Sequence, residues 1–164
     1  TVSDTRTLAT DKSGDTLAER IKEAGHTLSD RQIVKDDVRA IRALMRKWLK
    51  RADLDVVIST GGTGLTGRDV TVEAMRALFE KEIDGFGVAF HMISFQKIGV
   101  STVQSRATAG VAHGKYIFCL PGSPGACRDG WDGILKSQLD YRHLPCNFVE
   151  IMPRLDEHLK RRKG

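Results

Sequence analysis

Residues 59 to 69, STGGTGLTGRD, place four glycines, one cation (Arg68) and one carboxylate (Asp69) between an apolar run and a helical pattern. Glycines admit positive φ and let a ligand come close to the main chain, and successive N–H groups at a helix start make a cradle for anions. A tight strand-to-helix turn needs fewer than four of them, so the loop reads as a binder of a phosphate-bearing ligand. Asp69 would repel bound phosphates unless a divalent cation lay between, and Mg²⁺ suits both sets of oxygens. The same residue also fits the bland role of helix N-cap, and residue type alone leaves the two roles even. Two templates nearly match. Gly62, Gly64 and Gly67 fit G-x-G-x-x-G, but RDVT intervenes before the helix, and the acids about twenty positions on, Glu82 and Asp84, belong to a helical end. A P-loop counted from Gly62 puts Arg68 where lysine should stand and Asp69 where a magnesium-binding hydroxyl should.

The elements around this loop follow from apolar spacing. DVVIST has three consecutive β-branched residues without alternation, the pattern of a strand buried on both faces, and YIFCL is a second such run stopped by Pro121-Gly122. Leu17, Ile21 and Ala24 mark a first helix, with Thr16 and Glu19 at capping-box spacing and Gly25 ending it. Val38, Ile41, Met45, Trp48 and Leu49 mark a second, starting near Asp36 or Asp37; Val72, Met75, Leu78 and Phe79 a third; Phe86, Phe90 and Ile93 a fourth, to about Gln96. TVQSRATAGVAHGK reads as a short strand, a turn and a small-residue helix, and a last helix carries Cys127, Trp131, Ile134 and Leu139 inward. Alternating strands and helices predict an α/β fold, a three-layer α/β/α sandwich on a mostly parallel sheet. Ligands of such sheets gather at the carboxyl ends of the strands. The loops at 3–6 (SDTR), 35–37 (KDD), 61–69 and 121–126 (PGSPGA) should therefore share one rim. Arg6, Arg68, Arg106 and Arg128 each fall in or beside a loop of this kind, which favours a small anionic ligand over a polynucleotide.

Length and composition set the outer bounds. With 164 residues, 40% hydrophobic and 29% charged, one globular domain spanning 1–164 is expected. The opening TVSDTR reads as the end of a strand whose earlier residues are missing. Twenty-six Lys and Arg against 21 Asp and Glu give a net charge of +5, part of it in a basic tail over 154–164 read as a solvated end, so no nucleic-acid partner is expected. Neither a leader nor a membrane-length apolar run is visible, which predicts a cytoplasmic protein with no membrane partner. Cys119, Cys127 and Cys146 lack disulfide or zinc spacing and are expected as buried free thiols, and the five histidines fall at no metal-binding spacing. Trp48 and Trp131 are expected in the core or at a subunit interface.

In this order SDTRT, STGGTGLTGRDVT, GFGVAFHMISF, QSRATAGV and LPGSPGACRDGWD resemble the MoaB/MogA family of molybdenum cofactor biosynthesis proteins, over nearly the whole chain. The resemblance implies a molybdopterin-binding α/β/α domain assembled as trimers or hexamers. It also implies Mg-ATP-dependent adenylylation of molybdopterin with release of pyrophosphate; binding of molybdopterin or a nucleotide in the same pathway without transfer is the alternative, and ATP against GTP stays open. By the same resemblance Asp69 falls on the essential, Mg²⁺-holding carboxylate and Asp36, or its neighbour Asp37, on a second acidic position. Ser3, Asp4, Gly61, Gly62, Thr63, Gly64, Ser105, Arg106, Gly122 and Ser123 fall on positions lining the substrate pocket.

Overall fold

Val56, Val57 and Ile58 have no polar face to offer water, and in the computed structural model, which describes residues 1–160, they open strand β1 (Val56–Thr60). This strand pairs in parallel with β4 (Lys115–Leu120), Val57 opposite Ile117 and Ser59 opposite Cys119. On its other side β4 pairs antiparallel with β3 (Thr108–Ala112), which in turn pairs antiparallel with the two-residue β2 (Lys81–Glu82). The order is β1-β4-β3-β2, so the sheet is mixed, where a mostly parallel one was expected.

The reversal is made by His113 and Gly114, whose φ values of 52° and 72° suit the two-residue hairpin turn that matches strand twist. It also corrects the short strand, turn and small-residue helix expected over 102–115. That stretch holds a 3₁₀ helix (Gly99–Gln104) and then β3, buried along its whole length. The small side chains serve close packing: a Cβ on Gly110 would lie 2.3 Å from Cγ of Phe79.

Side chains of β4 alternate between two cores. Tyr116, Phe118 and Leu120 pack with Leu17, Phe86, Phe90, Trp131 and Leu135 on one face, while Ile117 and Cys119 pack with Ile41, Met45, Leu49 and Met75 on the other. The first face is covered by α1 (Lys12–Glu23), α4 (Asp84–Ile98) and α5 (Pro124–Gly130); the second by α2 (Val38–Leu49) and α3 (Thr71–Arg76). This is the three-layer α/β/α arrangement. Helix α5 runs on through a π-helical turn (Trp131–Leu135) into α6 (Lys136–Gln138), which keeps Cys127, Trp131, Leu135 and Leu139 facing the core.

Helix α1 starts a turn earlier than its apolar spacing suggested. Asp11, 1% exposed, caps it by accepting from the N–H of Gly14, while Thr16 donates to the carbonyl of Lys12 and forms no capping box. The opening residues extend the sheet by one parallel bridge, Val2 to Val34, with Val2 N–H donating to Thr60 O. Cys119 and Cys127 are buried and Cys146 is exposed; all three are free. Trp131 is a core residue, and Trp48 is half-buried with its indole N–H on Asp30. After α7 (Phe148–Ile151), residues 157–160 form the short helix α8, so the expected tail is partly folded; its last residues, 161–164, lie outside the described residues.

Candidate functional site

Strand β1 ends where β4 ends, and the chain there turns through Gly61 and Gly62 with φ of 97° and 66°. Both positions are closed to side chains by contact. A Cβ on Gly61 would sit 2.3 Å from the carbonyl oxygen of Val2, and one on Gly62 would sit 2.3 Å from Oγ1 of Thr71. Thr71, fully buried at the start of α3, fixes the turn by donating its hydroxyl to Gly61 O (2.8 Å) and its N–H to Gly62 O (3.0 Å). Sequence reasoning passed over Thr71, because a threonine opening a helix gives no sign of what its hydroxyl reaches. The N–H groups of Gly62 and Thr63 find no acceptor among the described residues, although Thr63 is 2% exposed. N–H groups left unpaired by the chain are donors available to an anion.

Two carboxylates lie beside this loop. Asp69 does not cap α3, whose N-cap is Val70 with no side-chain bond. It turns back instead, accepting from the N–H (2.8 Å) and hydroxyl (2.7 Å) of Thr66, and one of its oxygens would lie 2.8 Å from a Cβ on Gly64. The Thr66 hydroxyl, with the main-chain N–H groups of Thr66 and Gly64 and the charge of Arg106, outweighs burial and holds Asp69 below the ordinary carboxylate range. Asp36 comes from the loop before α2, with an oxygen 3.2 Å from where a Cβ on Gly62 would be. Burial, then the negative charge of Asp69, push its pKa up. Asp37 is engaged elsewhere: it is the N-cap of α2 and accepts from Ala40 N–H at 2.7 Å.

The other expected residues gather on the same rim, several with prior commitments. Ser3 Oγ accepts from the N–H groups of Thr5 and Arg6, and Asp4 accepts from Asp36 N–H at 3.3 Å while its other oxygen pairs with Arg68 across the mouth. Gly122 would bring a Cβ to 3.1 Å from Gly61 Cα, so the close approach of the two loops needs glycine there. Ser123 caps α5 by accepting from Ala126 N–H. Ser105 Oγ is buried without a hydrogen-bond partner among the described residues, and Arg106 N–H donates to Thr63 O, which joins this segment to the glycine loop. The Arg106 guanidinium lies against the loop's own carbonyls and Glu73. Arg6 turns to Thr10 O, away from the glycine loop.

A larger hollow, about 850 Å³, is lined by Leu17, Ile21, Met45, Trp48, Val56 and Ile58 along the outer edge of β1. It includes none of the glycine loop from Gly61 to Asp69, and its lining is aliphatic and aromatic for the most part, so the chemistry lies on the rim. Among the described residues no three His, Cys, Asp or Glu side chains converge as a metal cage, and no helix is long and apolar enough to cross a membrane. Two carboxylates completed by substrate oxygens form the kind of set that Mg²⁺ accepts.

An α/β/α domain with two carboxylates beside a glycine-built turn is the arrangement of a domain suited to small phosphorylated ligands. Comparison with known proteins makes this specific. Residues 1–141 match the family described as "Probable molybdopterin binding domain". The chain is 50% identical over 148 residues to molybdenum cofactor biosynthesis protein B of Escherichia coli K12, covering 90% of this chain and 87% of that one. Identity to the protein of the same name from Bacillus anthracis is 49%, over 86% and 84% of the two chains. A crystal structure of a molybdenum cofactor biosynthesis protein B superposes with a TM-score of 0.85 at 43% identity, covering 95% and 92%. The tungsten cofactor synthesizing protein MoaB of Pyrococcus furiosus gives 0.75 at 37% identity, covering 84% and 88%. The chain therefore belongs to the molybdopterin-binding MoaB/MogA family of molybdenum cofactor biosynthesis proteins.

Proposed function

We propose that this chain binds molybdopterin and Mg-ATP together and transfers AMP to the terminal phosphate of the pterin, with release of pyrophosphate. The observation that carries the proposal is the placement of Asp36 beside Gly62 and of Asp69 beside Gly64, in the same loop as the free N–H groups of Gly62 and Thr63 at the end of β1. A phosphate oxygen of the pterin attacks the α-phosphorus, the bond to the β-phosphate oxygen breaks, and the electron pair leaves with pyrophosphate. The nucleophile is already ionised, so no general base is required; the protein's task is to bring anions together and hold them in line. The amides of Gly62 and Thr63 orient phosphate oxygens, and the Ser105 hydroxyl offers a further donor. Asp69 and Asp36 are the residues that would hold Mg²⁺, which when bound neutralises the phosphate oxygens.

The family resemblance also implies assembly as a trimer or hexamer, and the proposal includes it. Helix α4 and the 3₁₀ helix after it leave Val88, Met92, Phe95, Ile98, Val100 and Val103 between 55% and 73% exposed, an apolar surface suited to a second copy.

A second reading, binding without transfer, has one observation in its favour: Arg68 is paired with Asp4 and Arg106 with Glu73, so neither is a free cation for the departing pyrophosphate. Pyrophosphate release from purified molybdopterin and Mg-ATP separates the two. Transfer predicts turnover that Asp69→Asn abolishes while the fold and pterin binding persist. Retention of the pterin with no pyrophosphate from the unaltered protein would leave the binding reading alone.

A further inference from the structure

Arg106 enters the site from the segment between the 3₁₀ helix and β3, remote in sequence from the loop it touches. Its Nε–H donates to Gly64 O at 2.8 Å and its Nη2 to Asp69 O at 3.0 Å, while Nη1 and Nη2 grip the carboxylate of Glu73, the second of these at 3.3 Å. Gly64 and Asp69 are the two ends of the excursion that carries Leu65, Thr66, Gly67 and Arg68, so one planar group spans its mouth. Inside that span the Asp69 N–H donates to Thr66 O and its carboxylate takes the Thr66 N–H and hydroxyl. The direction of the Asp69 side chain thus depends on a small closed loop whose two ends rest on Arg106. The four contacts use four of the five N–H donors of a guanidinium, and Glu73 balances its charge. Little is left with which to hold a phosphate.

From this geometry we infer that Arg106 is a positioning residue for Asp69, clamped in place by Glu73, and not a ligand of the anionic substrate. The inference rests on the reading of the site given above. Glu73 fits the clamp because the first turn of α3 places it beside Asp69, and that turn is itself tied to α2 by Arg42, whose guanidinium donates to the carbonyls of Glu73 and Ala74. With Arg106 partly exposed and Glu73 half exposed, the pair adds little to stability. Its effect is on geometry, and a misplacement of about 1 Å at a reacting centre can cost on the order of 100-fold in rate.

The test compares Arg106→Ala, Arg106→Lys and Glu73→Ala with the unaltered protein in three measurements: kcat and KM for Mg-ATP, affinity for Mn²⁺ alone, and amide hydrogen exchange across residues 64–69. A positioning role predicts that all three variants lose roughly 10- to 100-fold in kcat with KM within about 3-fold. Exchange at 66–69 should rise at least about 10-fold in Arg106→Ala and Glu73→Ala while the sheet stays protected, and added guanidinium should restore part of the activity of Arg106→Ala. Lysine should not substitute, since a point charge cannot span two carbonyls and a carboxylate. A ligand role makes the opposite forecast for Glu73→Ala: freeing the cation should tighten Mg-ATP binding. That result, a lysine variant with the activity of the unaltered protein, or unchanged exchange in Arg106→Ala would overturn the inference. Absence of pyrophosphate release from the unaltered protein would count against the proposed reaction only, because amide exchange needs no turnover and decides the clamp by itself.

Discussion

Gly62→Ala tests whether the cradle is shaped by contact or by loop preference. Gly62 has φ of 66°, where a side chain costs roughly 1–2 kcal/mol. The added methyl would also lie 2.3 Å from Thr71 Oγ1, 3.3 Å from Thr71 Cβ and 3.2 Å from Asp36 Oδ1. Overpacking of that kind typically adds about 1–3 kcal/mol, for a total of about 2–5 kcal/mol. At about 2–4 °C per kcal/mol for a domain of this size, the melting temperature should fall by roughly 4–20 °C. Thr71→Ala removes the obstructing oxygen but forfeits its bond to Gly61 O, which alone costs about 1–3 kcal/mol. The double variant should then be more stable than the sum of the singles predicts by on the order of 1–2 kcal/mol, measured by urea unfolding followed through Trp48 and Trp131. A Gly62→Ala loss below about 0.5 kcal/mol, or additive singles within the same margin, would refute the claim that Thr71 dictates this glycine.

Asp36 has its pKa raised by burial and by Asp69, so its stabilising contribution is complete in acid and is lost as pH rises through that value. Asp36→Asn should accordingly raise the melting temperature at neutral pH while lowering Mn²⁺ affinity, and in the unaltered protein Mn²⁺ affinity should fall as pH drops through the raised value; calorimetry and titration check the two. Asp11 is buried, but bonds from Thr1, Gly14 and Arg31 outweigh the effect of burial and lower its pKa, so it stabilises above the ordinary carboxylate value of 3.8 and that contribution disappears as pH falls through the lowered one. Asp11→Ala, which strands Arg31 and uncaps α1, should cost about 3–5 kcal/mol in urea unfolding at pH 7 and progressively less in acid. Phe95→Glu, in the middle of the exposed apolar face of α4, should reduce the mass measured by light scattering to that of a single chain; an unchanged mass would place any assembly contact elsewhere.

How far the fold and site can be read from the chain depends on whether the signal is local. Buried parallel pairing follows from Val56-Val57-Ile58 and YIFCL because an unbroken apolar run can satisfy only a strand covered on both faces, and β1 and β4 are neighbours as that requires. The run around Ala109 and Gly110 misleads for the converse reason. Alanine favours a helix in isolation, but here Ala109 packs against Phe86 and Phe90 of α4 and Gly110 makes room for Phe79, and that demand comes from elsewhere in the chain. Thr16 and Glu19 have capping-box spacing, yet Asp11, bonded to Thr1 and Arg31 as well as Gly14, holds the helix start a turn earlier.

The carboxylates make the same distinction at the level of function. KDD presents two adjacent acids, and a residue-type argument weighs them equally. Helix geometry separates them: whichever acid precedes the first helical residue reaches the N–H three positions on, which commits Asp37 to Ala40 and leaves Asp36, one residue earlier, directed toward Asp69 and Gly62. For Asp69 the choice between cap and site was open in the sequence because both readings fit a loop acid before a helix. Its hydrogen bonds to Thr66 decide against the cap, and they leave a lowered carboxylate facing a raised one. Of the two, Asp36 is the one whose charged form is disfavoured, by burial and by Asp69, and a cation beside it would reverse that preference, which is the physical reason this rim suits a metal-bound phosphate.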